Sequence, residues 1–101
     1  PRDFVMEETF EPGEADYIAD CLRRYEKNPS FCRENLFITF CGLQSKGYRP
    51  ATIRDWLYHA GLTHCAEAAD REIKAIAAFP DYDVFADIPE PQVPLPSLTA
   101  A

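Results

Sequence analysis

The segment LQSKGYRPATIRDWLYHAGL, residues 43–62, contains the spacing that decides the fold. It reads L-x3-G-x5-I-x3-L-x3-G-L. Gly47 can adopt positive φ and predicts the end of one helix, and Gly61 predicts a sharp turn into the next. Between them, Ile53 and Leu57 are one helical turn apart and predict a helix that rests on the core through one face. We therefore expect three consecutive helices joined by two tight turns.

This spacing resembles the helix-turn-helix segment of resolvase-type recombinases, transposases and plasmid or phage regulators, in which a glycine-punctuated helix precedes a recognition helix. The resemblance is confined to residues 43–62. It implies that the helix from Thr63 onward is the recognition helix, with its first residues in the major groove of DNA. The residues implied in base-edge contacts are Thr63, His64, Glu67 and Arg71. Those implied in phosphate contacts are Lys46, Arg49 and Arg54.

The predicted recognition helix departs from the usual pattern in its charge. Its acids Glu67, Asp70 and Glu72 outnumber its bases Arg71 and Lys74, and each acid near a phosphate costs Coulomb energy. The same spacing also arises in three-helix packing units that bind no DNA. The sequence leaves both interpretations open.

Periodicity and proline positions extend the prediction outward from this segment to four helices, over residues 13–27, 30–46, 50–60 and 63–78. Pro12, Pro29 and Pro50 each stand just ahead of a helical pattern, where a proline in the first turn is tolerated. Pro80 ends the fourth pattern. The expected fold class is all-α, a small orthogonal bundle of about four helices with a helix-turn-helix-like unit and an extended proline-rich C-terminal tail.

The apolar run 36–43 predicts a buried central helix, because it lies between helical flanks and no partner strand is evident elsewhere. Ser30 and Thr63 are the candidate N-caps of the second and fourth helices. The residues expected in the core are Tyr17, Ile18, Cys21, Leu22, Tyr25, Phe37, Phe40, Ile53, Trp56, Leu57, Ala60, Ala66, Ala69, Ile73 and Ile76.

The formal net charge of −7 is concentrated at the two ends of the 101-residue chain. Residues 1–20 carry −6 and residues 79–101 carry −4, whereas residues 21–78 carry +3. The acidic ends disfavour charge-driven DNA binding, while the basic middle permits a local DNA-binding face. The expected organisation is an acidic N-terminal arm over 1–12, a helical domain over 13–79 and an acidic, proline-rich extended tail over 80–101.

The tail combines five prolines with large apolar side chains between its acids. Two arrangements fit this composition, and both stay open. The tail can wrap back over the helices and complete their core, or it can dock on another chain, where an extended proline-rich segment loses little entropy. The candidate partner-binding residues are Tyr82, Phe85, Ile88, Val93 and Leu95.

The four cysteines and two histidines do not form a familiar metal-binding pattern, so no metal or cofactor is expected. Cys21, Cys32 and Cys41 lie within apolar patterns, where free thiols behave as small hydrophobic groups. Cys65 as a nucleophile with His59 as its base is a remote alternative, because no orienting acid or oxyanion-hole pattern accompanies them.

The function expected is that of a small helix-turn-helix DNA-binding regulator or accessory factor with a partner-binding tail. The alternative is a non-enzymatic protein–protein interaction protein, acting through its acidic ends and apolar tail. The expected partners are double-stranded DNA and a protein or a second copy of the chain. No enzyme activity is expected. No membrane association is expected either, because no apolar run is long enough to span a bilayer. The first residues lack the order of a secretion signal, which favours the cytoplasm.

Overall fold

The computed structural model describes residues 10–30, 33–82, 87 and 89–98. These residues form four α-helices and a short 3-10 turn, with no strand among them. The elements are α1 (Glu14–Lys27), α2 (Arg33–Ser45), α3 (Pro50–His59), α4 (Thr63–Ala78) and the 3-10 turn Pro80–Tyr82. The predicted all-α fold is confirmed, and each helix boundary lies within three residues of its expected position. None of the described helices is long and apolar enough to span a membrane.

Two glycine-dependent turns connect α2 to α3 and α3 to α4. Gly47 has φ of 109° and Gly61 has φ of 80°. After α2, the N–H of Tyr48 donates to the carbonyl of Leu43 at 3.2 Å, and after α3 the N–H of Leu62 donates to the carbonyl of Leu57 at 3.0 Å. Both turns are Schellman motifs, in which the left-handed residue lets the chain reverse and satisfy the last carbonyls of the helix. The spacing of residues 43–62 predicted both helix ends correctly.

Of the two predicted N-caps, Thr63 was wrong. The described part of α2 begins at Arg33, the residues that precede it lie outside the described ranges, and the hydroxyl of Ser30 donates to the Oδ1 of Asn28 at 2.9 Å. Thr63 is the first residue of α4 itself, Leu62 occupies the N-cap position, and no side chain of the cap residue bonds to the helix. The free N–H groups at the start of α4 are satisfied by a different helix, as described below.

The core lies where α1, α3 and α4 meet one face of α2. Its largest fully buried side chains are Leu22, Leu43, Ile53, Leu57 and Cys65. α3 and α4 pack closely on each other across the Gly61 turn, and α1 contacts both α2 and α4. Leu43, Ile53 and Leu57 of the glycine-punctuated segment therefore hold the helices together, as their spacing predicted.

Trp56 and Ala60 are partly buried and pack against the core cluster, whereas four residues that were expected in the core are neither buried nor part of that packing. Tyr17 is 64% exposed and Phe37 is 57% exposed, and Ile73 and Ile76 are only partly covered. α2 turns a single face, from Leu36 to Gln44, toward the core. Phe37 lies about 100° around the helix from Leu36, which points it away from that face.

Residues 89–98 fold back over the helices without regular secondary structure. Leu98 is buried in the core cluster, and Leu95 packs against it. Of the two open arrangements for the tail, the structure shows self-packing for these ten residues. The tail is not extended from its start, because Pro80–Tyr82 forms a 3-10 turn. The predicted anchors Phe85 and Ile88, the side chain of Tyr82, and residues 1–9 of the acidic arm lie outside the described residues.

Candidate interaction surface

The cations predicted to contact phosphate are each held close to acids of the same chain. Lys46 Nζ lies 3.1 Å from a carboxylate oxygen of Glu14 and 5.2 Å from the centre of the Phe10 ring. This contact and a hydrogen bond from the N–H of Glu11 hold the pKa of Glu14 below its ordinary value, with the backbone bond the larger cause. Lys46 is thereby part of the junction between α2 and the start of α1.

Arg54 lies between two acids on α3 and α4. Its Nε is 3.3 Å from Asp55 Oδ1 and its Nη1 is 3.3 Å from Asp70 Oδ1. Hydrogen bonds to Asp70 and Asp55 raise the pKa of Arg54, and hydrogen bonds from Lys74 and Arg54 lower the pKa of Asp70. The positive charge of Arg54 is therefore largely neutralised within the helix pair.

Arg49 stands at the N-cap of α3, beside the carboxylate of Glu90. The N–H of Arg49 donates to Glu90 Oε2 at 2.9 Å, and the hydroxyl of Thr52 donates to the same oxygen at 2.7 Å. The Thr52 bond, followed by the Arg49 bond, lowers the pKa of Glu90. An acid of the tail thus occupies the positive end of α3, where an anion is favoured.

The start of the predicted recognition helix is also occupied by a carboxylate. Glu26 at the end of α1 accepts hydrogen bonds from the N–H groups of His64 and Cys65, each at 3.1 Å. Thr63, His64 and Glu67 are exposed around it. A phosphate or base edge approaching this helix end would meet the negative charge of Glu26.

Of the predicted DNA-contacting residues, Arg71 has no ion pair within the part of the chain that the structure describes. It lines a groove of about 630 Å³ between the end of α1, the start of α2 and α4. Arg33 lies at the same groove and is likewise unpaired among the described residues, while Glu72 supplies one acid. About half of the lining is apolar and comes from Tyr25, Leu36, Phe37, Phe40 and Ala68 among others. Arg71 therefore differs from Lys46, Arg49 and Arg54, each of which contacts an acid of the chain.

The side of α2 opposite the core carries apolar side chains. We call Phe37, Ile38 and Cys41 the outer face of α2. Phe37 and Ile38 are 57% and 60% exposed, and Cys41 is half-buried. Tyr17 of α1, also exposed, lines a separate small cavity with Asp20, Arg24 and Asn35. The run 36–43 was predicted to form a buried central helix, whereas the described part of the bundle buries only one side of it.

Cys65 is unsuited to the nucleophilic role that was considered for it. Its side chain is fully buried, and its thiol donates to the carbonyl of Leu22 at 3.2 Å. Burial, with a further contribution from Glu26, raises the pKa of this thiol, and the thiolate is the reactive form. His59 is exposed at the end of α3. Within the described residues, no group of three or more His, Cys, Asp or Glu side chains is placed to hold a metal ion.

No protein-family model matches the chain, and comparison with curated proteins and with solved structures gives no significant match. The functional conclusion therefore rests on the chain's own geometry. Sequence reasoning missed Glu26 and Glu90, whose contacts join residues about 40 positions apart, and no local spacing indicates such contacts. It also placed Phe37 in the core, although the unbroken apolar run around it was a signal that one side of α2 needs a cover.

Proposed function

We propose that this chain is a non-enzymatic protein–protein interaction protein that docks a partner on the outer face of α2. The observation that carries the proposal is the exposure of Phe37 and Ile38 on a helix whose opposite side is already in the core. A helix that is apolar on all sides is normally buried on all sides. No described residue of this chain covers that side of α2, and we assign the cover to another protein.

The groove beside this face supports the same conclusion. Arg33 and Arg71 lie at its edge, and Phe37 belongs both to the groove and to the outer face of α2. Protein interfaces commonly combine an apolar centre with arginine and aromatic side chains, which supply much of the binding energy. The partner expected from this chemistry presents apolar side chains to Phe37 and Ile38 and acids to Arg33 and Arg71.

The DNA-binding regulator stays a prediction, and the contacts of its key residues favour the interaction protein over it. Lys46 and Arg54 are paired with acids, and carboxylates lie at the N-termini of α3 and α4. Binding to phosphate would have to compete with each of these contacts. A protein that binds through the outer face of α2 leaves all of them in place.

The test is affinity capture and sedimentation of the full chain with an Ile38→Asp substitution. We expect partner capture or self-association to fall at least tenfold, because a charge replaces the apolar contact at the centre of the surface. Tyr58→Asp is the matched control, since Tyr58 is a 51% exposed apolar residue on α3, and it should bind as the wild type does. Circular dichroism establishes that both variants are folded.

Equal binding by wild type and Ile38→Asp would contradict the proposal. A parallel assay with double-stranded DNA at two salt concentrations addresses the other prediction. Affinity that falls steeply with salt and disappears in the Arg49→Glu, Arg54→Glu variant would favour the regulator instead.

A further inference from the structure

The tail is held by two aromatic side chains that donate to its backbone. The hydroxyl of Tyr48 donates to the carbonyl of Val93 at 2.7 Å, and the indole N–H of Trp56 donates to the carbonyl of Pro96 at 2.8 Å. Tyr48 is almost fully buried, and Trp56 packs against the core cluster. Proline-rich peptides recurrently dock in grooves that are lined by aromatic side chains.

The contacts repeat every three residues along the tail. Glu90 provides a carboxylate to Arg49 and Thr52, and the carbonyls of residues 93 and 96 follow at equal spacing. Three residues is the period of the polyproline II helix, and Pro89, Pro91, Pro94 and Pro96 fix φ close to the value which that conformation requires. The segment bends at residues 92–93 and has no regular secondary structure. The interval of three residues therefore describes the contacts and not a regular helix.

Apolar and polar contacts complete the site at the far end. Leu95 packs on the core cluster and Leu98 is buried in it, while Arg23 donates to the carbonyl of Leu98 at 3.1 Å. The helices therefore contact the segment at the carboxylate of Glu90, at two backbone carbonyls and at two leucines. The acid lies at the positive end of α3, so this groove selects an acidic flank rather than a basic one.

We infer that the surface formed by Tyr48, Arg49, Thr52 and Trp56 is a binding site for proline-rich peptides with an acidic flank, and that residues 89–98 occupy it as an internal ligand. The ligand class is a segment of another protein with an acid, followed at intervals of three residues by acceptor carbonyls, and with leucine anchors near its end. The site shares no residue with the outer face of α2 and goes beyond the interaction proposed there. The tail acts as a competitor that a peptide of this class has to displace.

The test uses the full chain and a fluorescein-labelled peptide with the sequence of residues 89–98, PEPQVPLPSL. In a Glu90→Gln, Leu95→Asp chain, the weakened tail competes less, and we expect fluorescence anisotropy to show at least tenfold tighter peptide binding than in the wild type. Gln92→Asp is the control chain, because Gln92 is exposed in the tail, and it should resemble the wild type. A peptide with the Glu90→Gln and Leu95→Asp changes should bind at least tenfold more weakly than the unchanged peptide.

A second measurement needs no variant. Trp56 is the single tryptophan of the chain, so its indole N–H gives one cross-peak in the ¹H–¹⁵N spectrum of the wild type. A spin-labelled peptide at millimolar concentration, comparable with the effective concentration of a tethered tail, should broaden that cross-peak, and the doubly changed peptide should not. Absence of broadening, or a folded tail variant that binds the peptide no better than the wild type, would overturn the inference.

Discussion

Glu26 shows how one residue of α1 determines what the start of α4 can contact. Its carboxylate accepts hydrogen bonds from the N–H groups of His64 and Cys65 and complements the positive end of the helix. The predicted N-cap Thr63 does not do this, because it lies inside the helix, and Leu62 at the N-cap position has no acceptor side chain. The cap was missed because it depends on how α1 packs against α4, and 38 residues separate Glu26 from His64.

Replacing Glu26 by alanine should lower the free energy of unfolding by about 0.5–2 kcal/mol, the range measured for removal of a helix cap. Glu67→Ala is the matched control, because Glu67 is an exposed acid near the start of the same helix whose ion pair among the described residues is with His64, at 3.8 Å. It should change stability by less than about 0.5 kcal/mol. Urea unfolding measures both values. Equal effects of the two substitutions would show that general acidity near α4, and not the cap, is stabilising.

At the scale of elements, residues 43–62 predicted most of the fold because the signals in this segment depend only on neighbouring residues. A glycine with positive φ ends a helix through its own backbone, and an apolar pair one turn apart marks a buried face regardless of what covers it. The extent of burial around α2 was not predictable in this way. Phe37 and Ile38 have the same apolar character as Phe40, and only the arrangement of the other helices decides which of them is covered.

Gly61 and Gly42 provide an opposed pair of substitutions that tests the turn. A Cβ at either position meets no atom within 4 Å, so packing does not decide the outcome. At Gly61, with φ of 80°, alanine is forced into the left-handed region and should destabilise the fold by about 1–2 kcal/mol. At Gly42, inside α2, alanine should stabilise it by about 0.5–1 kcal/mol.

Thermal or urea unfolding of the two variants shows whether each substitution raises or lowers the free energy of unfolding. A loss of stability in both variants would mean that helix α2 does not tolerate a methyl group on its exposed side. Stabilisation in both would mean that the Gly61 turn has no need of positive φ.

At the scale of the whole molecule, the acidic ends supply carboxylates to the mildly basic middle. Glu14 pairs with Lys46 at one side of the bundle, and Glu90 joins the tail to the start of α3. The uneven charge distribution was evident from the sequence, but its use within the chain was not. Composition records how many acids each region has, whereas the pairing depends on where the tail crosses the helices.

Acid should loosen the tail before it unfolds the helices. The pKa of Glu90 is held below its ordinary value of 4.5, first by Thr52 and then by Arg49. A lowered carboxyl pKa contributes stability that is complete above the ordinary value and is lost as pH falls through the folded-state pKa.

Thr52→Val removes the larger cause of the lowered Glu90 pKa. It should reduce the free energy of unfolding at pH 7 by about 0.5–1 kcal/mol, a value limited by solvent screening. The free energy of unfolding of this variant should also fall less steeply between pH 5 and pH 3 than that of the wild type, as followed by urea unfolding and Trp56 fluorescence. Thr63→Val, an exposed threonine at the start of α4, should leave the pH dependence unchanged, and identical slopes in wild type and Thr52→Val would contradict the assignment.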